Sequence, residues 1–324
     1  MKRHFFLCLL FITFSTLFAK EPLPHKPVEL IVGFGVGGSS DRLARAMAPY
    51  LETMLNAPLK IITKEGDGSQ IAANYVLSNT SNEKYTIFCS TFTPYLANTI
   101  LSAGAKYAID DFEYINIQWF DNDIIATHID SSFKSLSQLL QIIKRGDAKL
   151  KIAVMEDSSG HLLLKMLLHN YKVSAENISI VLYNNGKILR NSLVNKEVDV
   201  MIISSQGSEL VREHIRTLAV FSPERHPQWD VPTVNEALAP LGFSVPFFAG
   251  SMRGFAVSKK YKEAYPKEYV LLVEAFLKIM AKKEVQKYLR DERIGGVWSG
   301  PHKSNILVKE SFEVYKKYAY LLRD

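Results

Sequence analysis

Residues 33–41, Gly33-Phe34-Gly35-Val36-Gly37-Gly38-Ser39-Ser40-Asp41, carry glycines, hydroxyls and a carboxylate in an order that suits an anion. Glycine lets a ligand approach the backbone without meeting a Cβ. A helix start offers unpaired N–H groups and a partial positive charge. The chemistry is recognition of charge, with no bond made or broken. Asp157-Ser158-Ser159-Gly160-His161 repeats the composition, and Gly66-Asp67-Gly68-Ser69-Gln70 is a third turn of the kind. A hydrogen bond to a charged group contributes about 1.5–3 kcal/mol, so a few of them, less the ordering cost, support binding of about −8 kcal/mol. Backbone amides do not titrate, so such a site would hold an anion without a salt bridge.

Each cluster also has an ordinary reading. Ser39 or Ser40 can cap a helix. Asp41 near a helix start gains about 0.3–1 kcal/mol with no ligand present. Ser158 and Ser159 can do the same for a second helix, with His161 as a packing residue of its first turn. Gly33-x-Gly35-x-x-Gly38 matches the dinucleotide fingerprint formally. Yet Glu52, near the acidic spacing, falls in a helical stretch, whereas the ribose acid should end the second strand. No cofactor is expected. Gly-x-Ser-x-Gly, His-Glu-x-x-His and Cys-x-x-Cys are all missing, and the eight histidines lack ligand spacing. Neither nucleophilic catalysis nor metal binding has a basis, and the chain reads as a binder, not an enzyme.

Strand and helix patterns alternate around these turns. Val28–Val32, Leu59–Ile62 and Tyr85–Ser90 read as strands, with helices opening near Asp41 and Ile71. A second series has strands at Ile124–Ile129, Leu150–Met155, Ile178–Leu182, Val198–Ile203 and Thr217–Phe221. Gly254–Val257 is a further strand, Pro266 opens a helix, and Ser304 starts the last one. The expected class is α/β, with parallel sheets and right-handed crossovers in two lobes.

Lys2 and Arg3 followed by an apolar run, Phe5 to Phe18, and the small Ala19 read as an export signal, residues 1–19, cut near Ala19. Without Lys2 and Arg3 the chain keeps 37 basic against 33 acidic residues, a net of +4. The charges are interspersed, so nucleic acid is not an expected partner. Only Cys89 remains beyond the signal; it lies in an apolar strand and reads as a buried structural thiol.

These residues together resemble the substrate-binding proteins of tripartite tricarboxylate transporters, the Bug family. The likeness covers nearly all of the chain beyond the signal. It rests on Lys26-Pro27-Val28, on Gly37-Gly38-Ser39-Ser40-Asp41-Arg42-Leu43-Ala44-Arg45, on Tyr85-Thr86 and Val198-Asp199, on Leu218-Ala219-Val220 with Arg225, on Asp230-Val231-Pro232-Thr233 with Glu236, and on Ser251-x-Arg253-Gly254. The resemblance implies a type II periplasmic-binding fold, with two α/β lobes around a ligand cleft. Lobe 1 would take residues 25–127 and 246–324, and lobe 2 residues 128–245. It implies a periplasmic monomer that captures a small carboxylate for membrane permease subunits. The family's site maps onto Phe34, Gly37, Gly38, Ser39 and Asp41; Gly68 and Ser69; Ser90 and Thr91; Ser158, Ser159 and His161; and Tyr183. Asp41 would hold an ammonium if the ligand is an amino acid, and otherwise brace the turn. The sequence departs from the family at Gly33, a usual proline, at Tyr183-Asn184-Asn185-Gly186, and at Thr63–Ser69, where Glu65 and Asp67 would oppose a carboxylate if they faced inward. A sensor subunit for a membrane signalling partner and an exported enzyme are the rival readings.

Overall fold

The computed structural model describes residues 26–322 except 82, 103 and 148, so the expected export signal lies outside the described residues. The first run comprises β1 (Val28–Val32), α1 (Ser39–Leu55), β2 (Leu59–Thr63), α2 (Gln70–Ser78), β3 (Tyr85–Thr93), α3 (Tyr95–Ser102) and β4 (Phe112–Asp121). The second comprises β5 (Asp123–His128), α4 (Leu136–Arg145), β6 (Leu150–Met155), α5 (Ser159–Tyr171), β7 (Ile178–Tyr183), α6 (Gly186–Val194), β8 (Val200–Ser204), α7 (Ser205–Ser208) and β9 (Ile215–Phe221). After α8 (Val234–Leu238) the chain forms β10 (Ser251–Ser258), α9 (Lys259–Ala264), α10 (Pro266–Met280), α11 (Lys283–Asp291) and α12 (Gly300–Tyr318).

Two five-stranded sheets result, ordered β2-β1-β3-β10-β4 and β7-β6-β8-β5-β9. The βαβ units pair in parallel, as the alternation requires. The reversed strand of each sheet comes from a chain crossing. β5 enters the second sheet antiparallel to β8 and β9, and β10 enters the first antiparallel to β3 and β4. Alternate residues of a strand face opposite sides. So Leu30 and Val32 pack under α1 and α10, while Ile31 joins Phe88 and Phe92 on the other face. Ile125 and Ile124 divide in the same way between the two cores of the second sheet.

The lobe limits differ from expectation in two places. The first crossing falls at Asn122 rather than after residue 127, because Asp123–His128 pair with β8 and β9. The end of the chain is shared as well: Tyr315 and Leu321 enter the second lobe's core, although α12 begins on the first lobe beside β4. At the hinge, Ser251 of β10 lies opposite Asp121 of β4. A Cβ on Gly250 would sit 2.3 Å from the Asp121 carbonyl oxygen, so the two crossings run side by side only with glycine there.

Part of the family likeness turns out to be scaffolding. Thr233 caps α8 by accepting from the Glu236 N–H, and the Glu236 carboxylate accepts from the Thr233 N–H and from Arg225 Nε. Thr233→Ala is expected to cost about 1 kcal/mol in a urea melt and to leave binding unchanged. Among the described residues no helix is long and apolar enough to cross a membrane.

Candidate ligand-binding cleft

The ends of the strands in both lobes open onto one cleft of about 1350 Å³. The first lobe contributes the β1–α1 turn, the turn before α2, and residues of α3; the second contributes the β6–α5 and β7–α6 turns and α7. A small inner recess of about 130 Å³ continues from it toward the hinge. Several bonds already span the lobes. Trp119 Nε1 donates to Gln206 Oε1, and Asn98 Nδ2 donates to the Asp157 carbonyl. Asp121 Oδ1 accepts from Ser205 Oγ at 3.0 Å and from the Gln206 N–H at 3.2 Å.

Nine of the thirteen expected residues reach this space. Phe34, Gly37, Gly38, Ser39, Gly68, Thr91 and Tyr183 line the cleft, and Ser158 and Ser159 line the recess. The other four stand behind the wall. Asp41 is 1% exposed; its Oδ2 accepts from the Gly37 N–H at 2.9 Å and from Arg45 Nε at 2.8 Å. It braces the turn, as one of its two readings required. Ser69 and Ser90 join through their hydroxyls at 2.7 Å. His161 is buried in the first turn of α5, its N–H bonded to Ser158 Oγ.

Of the two helices that follow the anion turns, the expected hydroxyl cap holds for one. Ser158 caps α5, but α1 begins after Gly38 with no side-chain cap. Ser40 Oγ instead contacts Thr91 Oγ1 at 3.1 Å, which ties α1 to β3. The first-turn amides of α1 therefore have no intrahelical acceptor and no capping side chain. Cys89 is a free, buried thiol whose pKa burial drives well up, as a structural cysteine requires.

Cationic side chains also border the cleft, where the sequence leads one to expect an anion held without a salt bridge. Arg253, on β10, borders both cleft and recess and is 7% exposed. Its Nε and Nη1 donate to nothing, and the nearest carboxylate, Asp121, lies 3.9 Å from Nη1. Its guanidinium sits 5.0 Å from the Trp119 ring, which also has Arg42 at 5.7 Å. Arg190 reaches the same region from α6 but is held by Ser204 and Ser208. Burial lowers the pKa of both arginines without removing their charge. Glu65 and Asp67 do face the cleft, and Glu156 and Asp157 face it from the second lobe. Sequence reasoning noted Arg253 only as part of a resemblance and passed over Arg190, Tyr95 and Asp123. Tyr95 and Asp123 carry one local signal, a hydroxyl or charge beside a strand end, whereas Arg190 lies inside α6 and Arg253 inside β10 and carry none.

Residues 43–294 match the family described as "Tripartite tricarboxylate transporter family receptor". The chain belongs to this receptor family. Among curated relatives, the UPF0065 protein of the tcbD-tcbE intergenic region of Pseudomonas sp. (strain P51) is 26% identical over 71% of this receptor and 68% of that protein. Protein BugT of Bordetella pertussis is 24% identical over 71% of each chain. Solved structures share the fold. A TctC solute-binding protein from Polaromonas superposes with a TM-score of 0.74 at 21% identity, covering 92% of this receptor and 99% of that chain. R. palustris Rpa4515 with adipate gives 0.71 at 23% identity, covering 92% and 98%. MatC of Rhodopseudomonas palustris with bound malate gives 0.68 at 21%, covering 92% and 99%.

Two buried groups give the receptor opposing responses to pH. Burial, and then Lys165, lowers the His161 pKa to about 4. The unfolded imidazole protonates at about 6.5, so this contribution is complete above that pH and is lost as pH falls toward 4. Burial raises Asp123 to about 7, against the lowering effects of Ser159 and the arginines. Its unfolded carboxyl ionises at about 3.9, so its contribution is complete below that pH and is lost as pH rises to 7. Asp123→Asn is therefore expected to steepen the rise of stability between about pH 4.5 and 6.5, read from urea midpoints, and an unchanged slope contradicts this.

Proposed function

We propose that this chain is the periplasmic receptor that captures a small organic carboxylate reversibly and delivers it to the membrane permease of a tripartite tricarboxylate-type transporter. The observation that carries the proposal is Arg253, a buried guanidinium in the cleft wall with Nε and Nη1 unpaired. A buried donor with no partner is costly, and a carboxylate supplies the missing acceptor in charge-assisted form. The free amides at the start of α1, beside Gly38 and Ser39, supply a second anion contact. Relatives of the same fold hold adipate and malate, which supports this ligand class.

On this reading Phe34, Gly37, Gly38, Ser39, Gly68, Thr91, Ser158, Ser159 and Tyr183 form the contact wall. Asp41, Ser69, Ser90 and His161 support it. Rotation of the lobes about the paired crossings at Asn122 and Gly250 would close the wall over the ligand and exclude water. The protein works as an exported monomer and turns over nothing. Calorimetric titration with di- and tricarboxylates, acidic amino acids and aromatic acids tests the proposal. Micromolar binding of at least one is expected, and silence across the panel with folded protein rejects it.

A further inference from the structure

The inner recess holds opposite charges that do not satisfy each other. Arg253 leaves Nε and Nη1 unpaired on one side, and Asp123, 3% exposed, leaves Oδ2 unpaired. No ion pair joins them; the carboxylate nearest Arg253 is Asp121, at 3.9 Å. Around the recess the formal charges of Arg190 and Arg253 balance those of Asp121 and Asp123. A dianion placed there would leave a net negative charge and would still leave Asp123 Oδ2 without a donor. A lone carboxylate would answer Arg253 and nothing else. A group carrying both charges on one carbon answers both and keeps the recess neutral.

We propose that the recess is a subsite for the zwitterionic head of an α-amino acid, with Arg253 taking the carboxylate and Asp123 the ammonium. The inference rests on the carboxylate-receptor reading and narrows it. About 130 Å³ is room for such a head but little more, so the side chain must extend into the outer cleft. Tyr95 and the Ser158 and Ser159 hydroxyls complete the lining with groups that adapt as donor or acceptor. The groups facing Asp123 are Ser159, Asp121, Tyr95, Tyr315, Arg253 and Arg190, so ionised Asp123 is offset by the two arginines.

The test compares pairs that differ only at the α-carbon: L-glutamate against glutarate and 2-hydroxyglutarate, L-aspartate against succinate and malate, then the remaining proteinogenic amino acids against their desamino acids. Calorimetry on the full mature chain at pH 8 is expected to show at least one amino acid binding about tenfold or more tighter than both its desamino and its hydroxy analogue. Asp123→Asn is expected to abolish that preference, cutting affinity for the amino acid about tenfold or more. If no amino acid outbinds its analogues in the unaltered protein, the zwitterion subsite is wrong, although carboxylate binding would still support the receptor reading. A hydroxy acid that binds as tightly as the amino acid also overturns it, because Asp123 would then be reading a hydroxyl. If no acid of any kind binds, the receptor reading itself fails.

Discussion

Arg253→Met is expected to weaken carboxylate binding about 100-fold or more, close to the whole worth of a buried charge-assisted contact. Methionine keeps much of the unbranched length against Trp119, so the packing loss is small. Asp121 retains Ser205 and Gln206, and Asp123, which keeps Arg190 nearby and whose pKa burial already raises, takes up a proton more readily when the Arg253 charge is removed. Thermal stability should stay within about 1 kcal/mol of the unaltered protein. Arg253→Lys should not restore affinity, because an ammonium lacks the planar fork of the guanidinium. Calorimetry and a melt on the same preparation separate the two effects. Unaltered affinity in Arg253→Met would remove the carrier of the functional proposal.

Gly33→Ala is expected to disrupt the glycine turns of the first lobe. Its Cβ would lie 1.7 Å from Ser69 Oγ, 2.8 Å from Ser69 Cβ and 3.0 Å from Ser90 Oγ. Ser69 cannot swing aside cheaply, since it sits at φ 82° in a turn where Gly66, Asp67 and Gly68 also have positive φ. Moving it breaks the Ser69–Ser90 bond and shifts the turn that carries Gly68 into the cleft. A cost of about 2–3 kcal/mol is expected from overpacking and the lost hydrogen bond together. Ser69→Gly removes the obstructing side chain and suits the backbone angle, so the double variant should recover most of the loss. Additive losses in the double-mutant cycle would show that the two positions do not meet.

Gly33 also explains one departure from the family pattern. A proline would put its own Cβ into the space that Ser69 occupies. The substitution and the hydroxyl in the third turn are thus one packing solution, read from sequence as two separate oddities.

Strands with a clean apolar run were legible. Val28–Val32 and Leu150–Met155 appear with the expected limits. β4 was not, because Asn116 and Gln118 interrupt its apolar pattern. Their partners lie far along the chain: Asn116 bonds Val297, Ser299 and Gly300, and Gln118 bonds Gly295. A polar residue satisfied by a segment about 180 residues away looks, in sequence, like an exposed one. The same physics hid half of the candidate site. Turns that cradle an anion announce themselves by glycine and serine in one short stretch. Arg253 and Asp123 gain meaning only where β10 and β5 run beside each other's lobes, and nothing local marks that meeting.

A crystal structure of the receptor with its tightest-binding acid tests the central claim most directly. The ligand's carboxylate is expected within hydrogen-bonding distance of the Arg253 guanidinium, enclosed by both lobes. Density for the acid on an outer face, with Arg253 still unpaired beside an empty cleft, would contradict it.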